Sequence, residues 1–300
     1  MSCIVTDWDF EQVAGPYDFT EGPAWDGSGL IFSDIPNNRL LRYDPETGKT
    51  QEYRTGTNQG NGMIFDRVGV LHACEGGGDG RCIARYNADG SRQVLASHFE
   101  GKRLNSPNDL AFDHKGRIFF TDPRYGERVD DMELDHQSVY RLDPDGNDWT
   151  ITRVTFDTKK PNGLLVSADA GTLYVAESAY GNDPRELRAY PLDEDGNVSG
   201  PHETPHNFFP HRGIDGMCLD IDGNIVATSG WEQSGPGPMI NVFTPTGRVL
   251  ATHPIPHPPT NCTWGDADLR TLYVTAGARL YRARTELQGA LLFPSIGGST

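Results

Sequence analysis

"SPNDLAFDHKGRIFFTD" (residues 106–122) sets two oxygen-bearing residues, Asn108 and Asp109, before an apolar strand, then a turn at Gly116 and a second apolar strand. The same order recurs five more times. "EGPAW" opens at Glu21, "NGMIFD" at Asn61, "NGLLVS" at Asn162, "DGMCLD" at Asp215 and "NCTWGD" at Asn261, each 40 to 54 residues from the next. Second strands follow as "GLIFSD" (29–34), "GVLHAC" (69–74), "GRIFFTD" (116–122), "GTLYVAE" (171–177), "GNIVATS" (223–229) and "RTLYVTA" (270–276). Third strands such as "RLLRYDPETG" and "SVYRLDPDG" come next and mostly end in a Gly-containing hairpin turn. A repeat of this length built from short strands marks a β-propeller, whose blades are four-stranded sheets around a central channel. Six units predict an all-β, six-bladed β-propeller occupying residues 1–300 as one domain without a linker. The last unit runs short after Thr285, so an N-terminal strand at Cys3–Phe10 and another at Glu11–Ala14 are expected to complete it and close the ring.

Composition agrees with this reading. Glycine (35) and proline (21) are abundant, the apolar share is 36%, and no long segment has helical apolar periodicity. The net charge of −16 argues against nucleic-acid or anionic-membrane partners, which need Lys/Arg patches, and favours a cation or a neutral small molecule. The start "MSCIVTDWDF" lacks a basic and apolar leader, and no run of about 18 apolar residues exists, so a soluble, cytoplasmic protein is expected. Five scattered cysteines without C-x-x-C indicate neither a disulfide framework nor a zinc site; Cys74 and Cys82 flank a hairpin tip and are the one pair placed to meet.

In a propeller the innermost strands line the channel, so the six anchors converge on its axis. The ring reads Glu, Asn, Asn, Asn, Asp, Asn, all oxygen donors. Oxygen ligands without thiolate or imidazole select hard cations, Ca²⁺ or Mg²⁺ first, with Mn²⁺ or Zn²⁺ when these are scarce. Glu21 and Asp215 together neutralise a divalent ion, which suits a buried site. Each anchor alone reads as a turn former; the set, with carboxylates at the first and fifth positions, reads as a central metal site. The rival signals are weaker. "DPDGND" (143–148), "DEDGN" (193–197) and "DIDGN" (220–224) resemble EF-hand openings but lack the bidentate Glu at the twelfth position, and read as hairpin turns. "PHETPHNFFPHRG" (201–213) reads as a proline-broken loop in which His202, His206 and His211 form no helical pair; His211, four residues before Asp215, is placed to overhang the pocket. No nucleophile elbow, Walker loop or dinucleotide fingerprint is present.

The ordered run "EGPAW…LIFSDIPNNRLLRYDPETG", "EGKRLNSPNDL…GRIFFTDPRYG", "KPNGLLVSADAGTLYVAES", "IDGMCLDIDGNIVA" and "TNCTWGDADLRTLYVTAGARLYRAR" resembles the gluconolactonase branch of the family that also holds regucalcin, over about residues 15 to 285. The resemblance implies a six-bladed propeller with a divalent ion, usually Ca²⁺, on the axis, and a small-molecule lactone substrate. It assigns Glu21, Asn162 and Asp215 to the metal and Asn108 to metal or substrate. Ile214 stands where the family usually has proline, and Ser106 where regucalcin-like members have arginine. Substrate contacts are therefore expected from Arg103, Arg124, Tyr125, His211 and Asn108, with Trp231 and His72 shaping the pocket.

The expected reaction is metal-dependent hydrolysis of a sugar-acid lactone: the cation polarises the carbonyl and Asp215 is general base. Two alternatives stand beside it. The same centre suits phosphotriesters or other lactones, and a propeller also serves as a non-catalytic calcium-binding scaffold.

Overall fold

The computed structural model describes residues 7–78, 80–125, 130–146 and 148–294, and among these every regular element is a β-strand. Six four-stranded antiparallel sheets form a six-bladed β-propeller. From the channel outward, blade 1 comprises Thr20–Trp25, Leu30–Asp34, Arg39–Asp44 and Lys49–Thr55; blade 2, Gly60–Phe65, Leu71–Glu75, Cys82–Tyr86 and Arg92–Ala96; blade 3, Leu110–Phe112, Ile118–Asp122, Ser138–Asp145 and Asp148–Arg153. Blade 4 comprises Pro161–Val166, Thr172–Ser178, Arg185–Pro191 and Glu203–Asn207; blade 5, Ile214–Leu219, Ile225–Trp231, Ser234–Phe243 and Val249–Pro254. Blade 6 takes Pro259–Gly265, Thr271–Ala276 and Arg279–Arg284 from the end of the chain and Glu11–Ala14 from its start, with Glu11 opposite Arg282. A short ribbon, His98–Phe99 with Lys102–Arg103, precedes blade 3.

The burial of each strand follows from its place in the blade. Second strands such as "LIFSD", "IFFTD" and "TLYVTA" are buried at every position, because neighbouring blades cover both their faces. Fourth strands such as "KTQEYRT" are exposed edges and carry no such run, which is why sequence periodicity misses them. One fourth strand corrects an expectation. "PHETPHNFFPHRG" is not a continuous loop: Glu203–Asn207 is the outer strand of blade 4, where Pro205 is tolerated because an edge strand can do without one ladder bond. The second correction concerns the start of the chain. Residues 3–6 lie outside the described residues, and residues 7–10 form no strand; instead Trp8 stacks on His253 at 3.9 Å, and its Nε1 donates to Glu286 at 3.0 Å.

Between blades the core is aromatic. Trp264, Tyr273 and Phe32 are fully buried, and Trp25 stacks on Tyr273 at 5.8 Å where blades 1 and 6 meet. Each such side chain contributes on the order of 1.5–3 kcal/mol by leaving water. The turns at 143–146, 193–197 and 220–224 carry Gly146, Gly196 and Gly223 at positive φ, as hairpin turns require. Cys74 and Cys82 are both buried free thiols; Cys82 faces Glu75 across the ladder.

Around the channel the glycines after the anchors have a packing duty. A Cβ on Gly22 would meet the carbonyl oxygen of Asn61 at 1.9 Å, one on Gly163 that of Asp215 at 2.4 Å, and one on Gly216 the side chain of Asn261 at 2.1 Å. The anchors of blades 2, 5 and 6 thus nest into the glycine of the blade before them. The "NG" and "DG" pairs are the seats of an interlocked ring.

Candidate active site

At one mouth of the channel the inner strands begin and open onto a cavity of about 730 Å³. Glu21, Asn61, Asn108, Asn162 and Asp215 line it, one from each of blades 1 to 5. The sixth anchor does not. Asn261 lies farther down the channel, donating from Nδ2 to Asp109 Oδ2 at 3.3 Å and accepting the Cys262 N–H at 2.8 Å. Asn108 and Asp109 therefore serve different levels: the amide faces the mouth, and the carboxylate faces the channel interior.

A recurrent carboxylate places the loops that deliver these anchors. Asp122, at the end of the second strand of blade 3, accepts the Asn105 and Ser106 N–H groups, both at 2.8 Å, and so holds the segment leading to Asn108. Glu177 does the same in blade 4 for Lys159 and Lys160 at 2.8 and 2.7 Å, just before Asn162. Asp34 accepts from Asp18 and Phe19 at 3.2 and 3.5 Å before Glu21. The signal was present in the sequence as the acid closing "FSD", "FTD" and "VAE", but a buried acid at a strand end reads there as an ordinary turn residue.

Electrostatically the floor is anionic and desolvated. Glu21 is 5% exposed, and burial followed by repulsion from Asp215 pushes its carboxyl well above the usual range. Asp215 is also raised by burial, against the opposing pull of Arg212 and Asn162. Asn162 Nδ2 donates to Asp215 Oδ1 at 2.6 Å, and Arg212 Nη2 lies 2.5 Å from Asp215 Oδ2. Arg212 also donates to the Gly230 and Pro259 carbonyls at 2.8 and 3.0 Å, which fixes the guanidinium as a brace between blades 5 and 6. The sequence reading passed over Arg212, since nothing in "HRGIDG" distinguishes a brace from a surface arginine.

Among the described residues no three His, Cys, Asp or Glu side chains form a metal-holding cluster. The donor set at the floor is two carboxylates with amides. Among the same residues no Lys, Arg or His forms an ion pair with Glu21, whose buried carboxyl accepts the Gly22 N–H at 2.7 Å and a side-chain hydrogen bond from Asn261. A divalent cation suits that set: it answers the charge of Glu21, and the amide oxygens of Asn108 and Asn162 are hard donors.

The other expected contacts divide. Arg124 and Tyr125 line the cavity; Arg124 is held by Asp131 at 2.9 and 2.8 Å, while the Tyr125 hydroxyl is buried without a hydrogen-bond partner among the described residues. Trp231 stands at the rim, 40% exposed. Three of the expected residues lie outside the lining of this cavity. Arg103 sits on the short ribbon, with Nε 3.4 Å from Glu133, away from the cavity. His72 is buried in blade 2 against Phe112, because its strand position points between blades. His211 is exposed and packs over Gly235 beside the mouth, outside the lining residues. The three histidines of residues 202–211 do not converge either; His202 pairs with Asp157, and His206 packs on Phe208 and Phe243.

Residues 19–278 match the model of the SMP-30/Gluconolactonase/LRE-like region. A gluconolactonase of Zymomonas mobilis is 31% identical over 93% of this chain and 82% of its own length, and the pentonolactonase XacC of Haloferax volcanii is 30% identical over 85% and 80%. Among solved structures a gluconolactonase from Xanthomonas campestris superposes with a TM-score of 0.81 at 33% identity, covering 94% of this chain and 90% of that one. With six blades, the ordered anchors and a family match spanning most of the sequence, the chain belongs to the SMP-30/gluconolactonase/LRE-like family.

Proposed function

We infer that this chain is a lactone-hydrolysing enzyme, a hydrolase of carboxylic ester bonds, acting on sugar-acid lactones at the mouth floored by Glu21, Asn108, Asn162 and Asp215. The observation that carries the reading is the convergence of these four oxygen-bearing side chains, from four blades, in one cavity of a chain whose relatives include a gluconolactonase and a pentonolactonase. Glu21, Asn162, Asp215 and Asn108 would hold a divalent cation, Ca²⁺ by the hardness of the donors. When bound, it supplies Lewis-acid polarisation of an ester carbonyl.

The protein side chains do the rest. Asp215 accepts a proton from the attacking water and returns it to the ring oxygen as the acyl C–O bond breaks, yielding the hydroxy acid. Burial favours this role by raising its proton affinity above that of a solvated carboxylate. Arg212 and Asn162 keep the carboxylate from rotating, so its free lone pairs stay aimed into the cavity. The Tyr125 side chain lines the cavity, and its buried hydroxyl has no hydrogen-bond partner among the described residues.

The test is proton release from glucono-1,5-lactone and a panel of aldonolactones, before and after chelation and with Ca²⁺ restored. Hydrolysis above the spontaneous rate that falls on chelation and returns with Ca²⁺ is the expected result. A folded, Ca²⁺-loaded protein that leaves every lactone at the spontaneous rate would overturn it, and a fluorophosphate run in parallel reports whether the centre serves phosphotriesters instead.

A further inference from the structure

The cavity is larger than the proposed reaction needs for one sugar ring. A hexonolactone has twelve non-hydrogen atoms, whereas about 730 Å³ lies in the upper half of the range that encloses drug-sized ligands. The surplus volume is not featureless. Its rim carries three large aromatic side chains left open to solvent: Phe19 before the inner strand of blade 1, Tyr180 after the second strand of blade 4, and Trp231 at the end of the second strand of blade 5, exposed by 40%, 65% and 40%.

Two of these are held in place. Tyr180 packs edge-on against buried Tyr125 at 6.3 Å, with the Lys160 ammonium 4.9 Å from its ring centre. Trp231 is anchored through Nε1 to Ser234 Oγ at 2.7 Å. Aromatic faces left open around a polar floor offer a ligand stacking surfaces. The gaps between them are polar, with Gln59, Ser106 and Ser234 on the cavity wall.

We propose that this rim is a second sugar subsite and that the substrate is a disaccharide aldonolactone, its lactone ring on the carboxylate floor and its glycosyl ring stacked on Trp231, on the side of the mouth that also carries Tyr180. The proposal rests on the lactonase reading. Pyranose rings match such a rim because their axial C–H groups meet the electron-rich aromatic face while their hydroxyls, pointing sideways, find the polar wall. A purely aryl or alkyl substituent would gain nothing from that polar wall, where Ser234 Oγ already accepts from Trp231 and Ser106 Oγ already donates to the Gly76 carbonyl. The chemistry is unchanged: the water oxygen bonds to the carbonyl carbon, the ring C–O bond breaks and its oxygen takes the proton, leaving the glycosidic bond intact.

Hydrolysis of cellobiono-1,5-lactone, glucono-1,5-lactone and the aryl lactone dihydrocoumarin by the Ca²⁺-loaded protein tests the proposal. Expected is a kcat/KM for the disaccharide lactone at least tenfold above that for gluconolactone, carried mainly by KM. In Trp231→Ala that ratio should collapse by about tenfold, and in Trp231→Phe, which keeps an aromatic face, by much less. Equal values for the two sugar lactones, a ratio unmoved in Trp231→Ala, or preference for dihydrocoumarin overturns it. Calorimetric binding of cellobionate against gluconate separates this from the reaction itself. Tighter cellobionate binding that Trp231→Ala abolishes supports the subsite even if no lactone is turned over, in which case the lactonase reading alone falls; equal binding of the two acids removes the subsite.

Discussion

The two ends of the channel are built from the same inner strands and have opposite chemistry. Where those strands begin, Glu21, Asn108, Asn162 and Asp215 floor a cavity of about 730 Å³ open to solvent. Where they end, Trp25, Phe65, Phe112 and Val166 line a smaller cavity of about 360 Å³, across which the chain lays Leu291, Leu292 and Phe293. The covering segment is fastened by backbone hydrogen bonds, Ala290 to Leu219 and Gly289 to Leu269. Strand beginnings are entered from loops, which can be re-aimed by a carboxylate such as Asp122 or Glu177 without disturbing the ladder. Strand ends run straight into tight turns and are closed with apolar packing. One strand set thus separates a polar, open end from an apolar, covered one along its own length.

Asp215→Asn should break the polar end most severely. An amide keeps the shape and one acceptor but cannot take the proton, so kcat is expected to fall by about 10²–10⁴, the usual worth of a general base. Turnover within threefold of the wild type, with an unchanged melting temperature, would move the base elsewhere. Arg212→Ala should come next, with kcat/KM down about 10- to 100-fold, because Asp215 loses the partner that orients it. Arg212→Lys should recover only part of this: the charge stays, but one ammonium cannot span the Gly230 and Pro259 carbonyls as well as the carboxylate. Full recovery with lysine would mean that charge alone matters at this position.

The apolar end should respond in the other observable. Phe293 is half-buried, its ring 5.8 Å from that of Phe65 and close over Gly69. Phe293→Ala is expected to cost about 1–3 kcal/mol of stability, less than a fully buried Phe, while lactone kcat/KM stays within twofold. Denaturant titration and the proton-release assay on the same preparation decide it. A large loss of activity with little loss of stability would tie the two ends together and end the contrast.

How far the sequence could be read follows the same division. The anchors and the apolar second strands were legible because each repeats six times, and a repeated local pattern survives any one ambiguous position. Predicted second strands such as 116–122 and 270–276 match Ile118–Asp122 and Thr271–Ala276 closely. The outer strands were hidden, since exposed edges such as Glu203–Asn207 are under no apolar constraint and tolerate proline. Cavity-lining residues were legible where they repeat and obscure where they occur once. Glu21, Asn108, Asn162 and Asp215 share a blade position; Arg212, which braces one of them, occupies a position with no counterpart. Arg103 and His72 sit near the anchors in sequence but not in space, because chain neighbours around a turn can face different blades.

The smallest expected effect concerns the carboxylates that hold the loops. Asp122 is fully buried, and desolvation outweighs its two backbone N–H bonds, so its carboxyl is pushed up to about 7 from an ordinary value near 4. The folded chain therefore keeps a proton that the unfolded chain gives up between about pH 4 and 7. By linkage, this carboxyl makes stability fall as pH rises through that interval and level off above about 7; Glu21, Asp109, Glu177 and Asp215, raised by burial, act in the same sense and together outnumber His72, His206 and His253, whose lowered proton affinity acts in the opposite one. Urea unfolding at pH 5 and pH 8, in chelator so that cation binding adds nothing, should show the lower midpoint at pH 8. Asp122→Asn is expected to lower both midpoints, since one of the Asn105 and Ser106 N–H groups loses its acceptor, and to narrow the gap between them. The gap should not vanish, because buried Asp109 is raised to about 7 for the same reason and still titrates. If the gap is as wide in the variant as in the wild type, Asp122 carries its charge in the folded state at pH 5, and its loop is held by an ionised clamp.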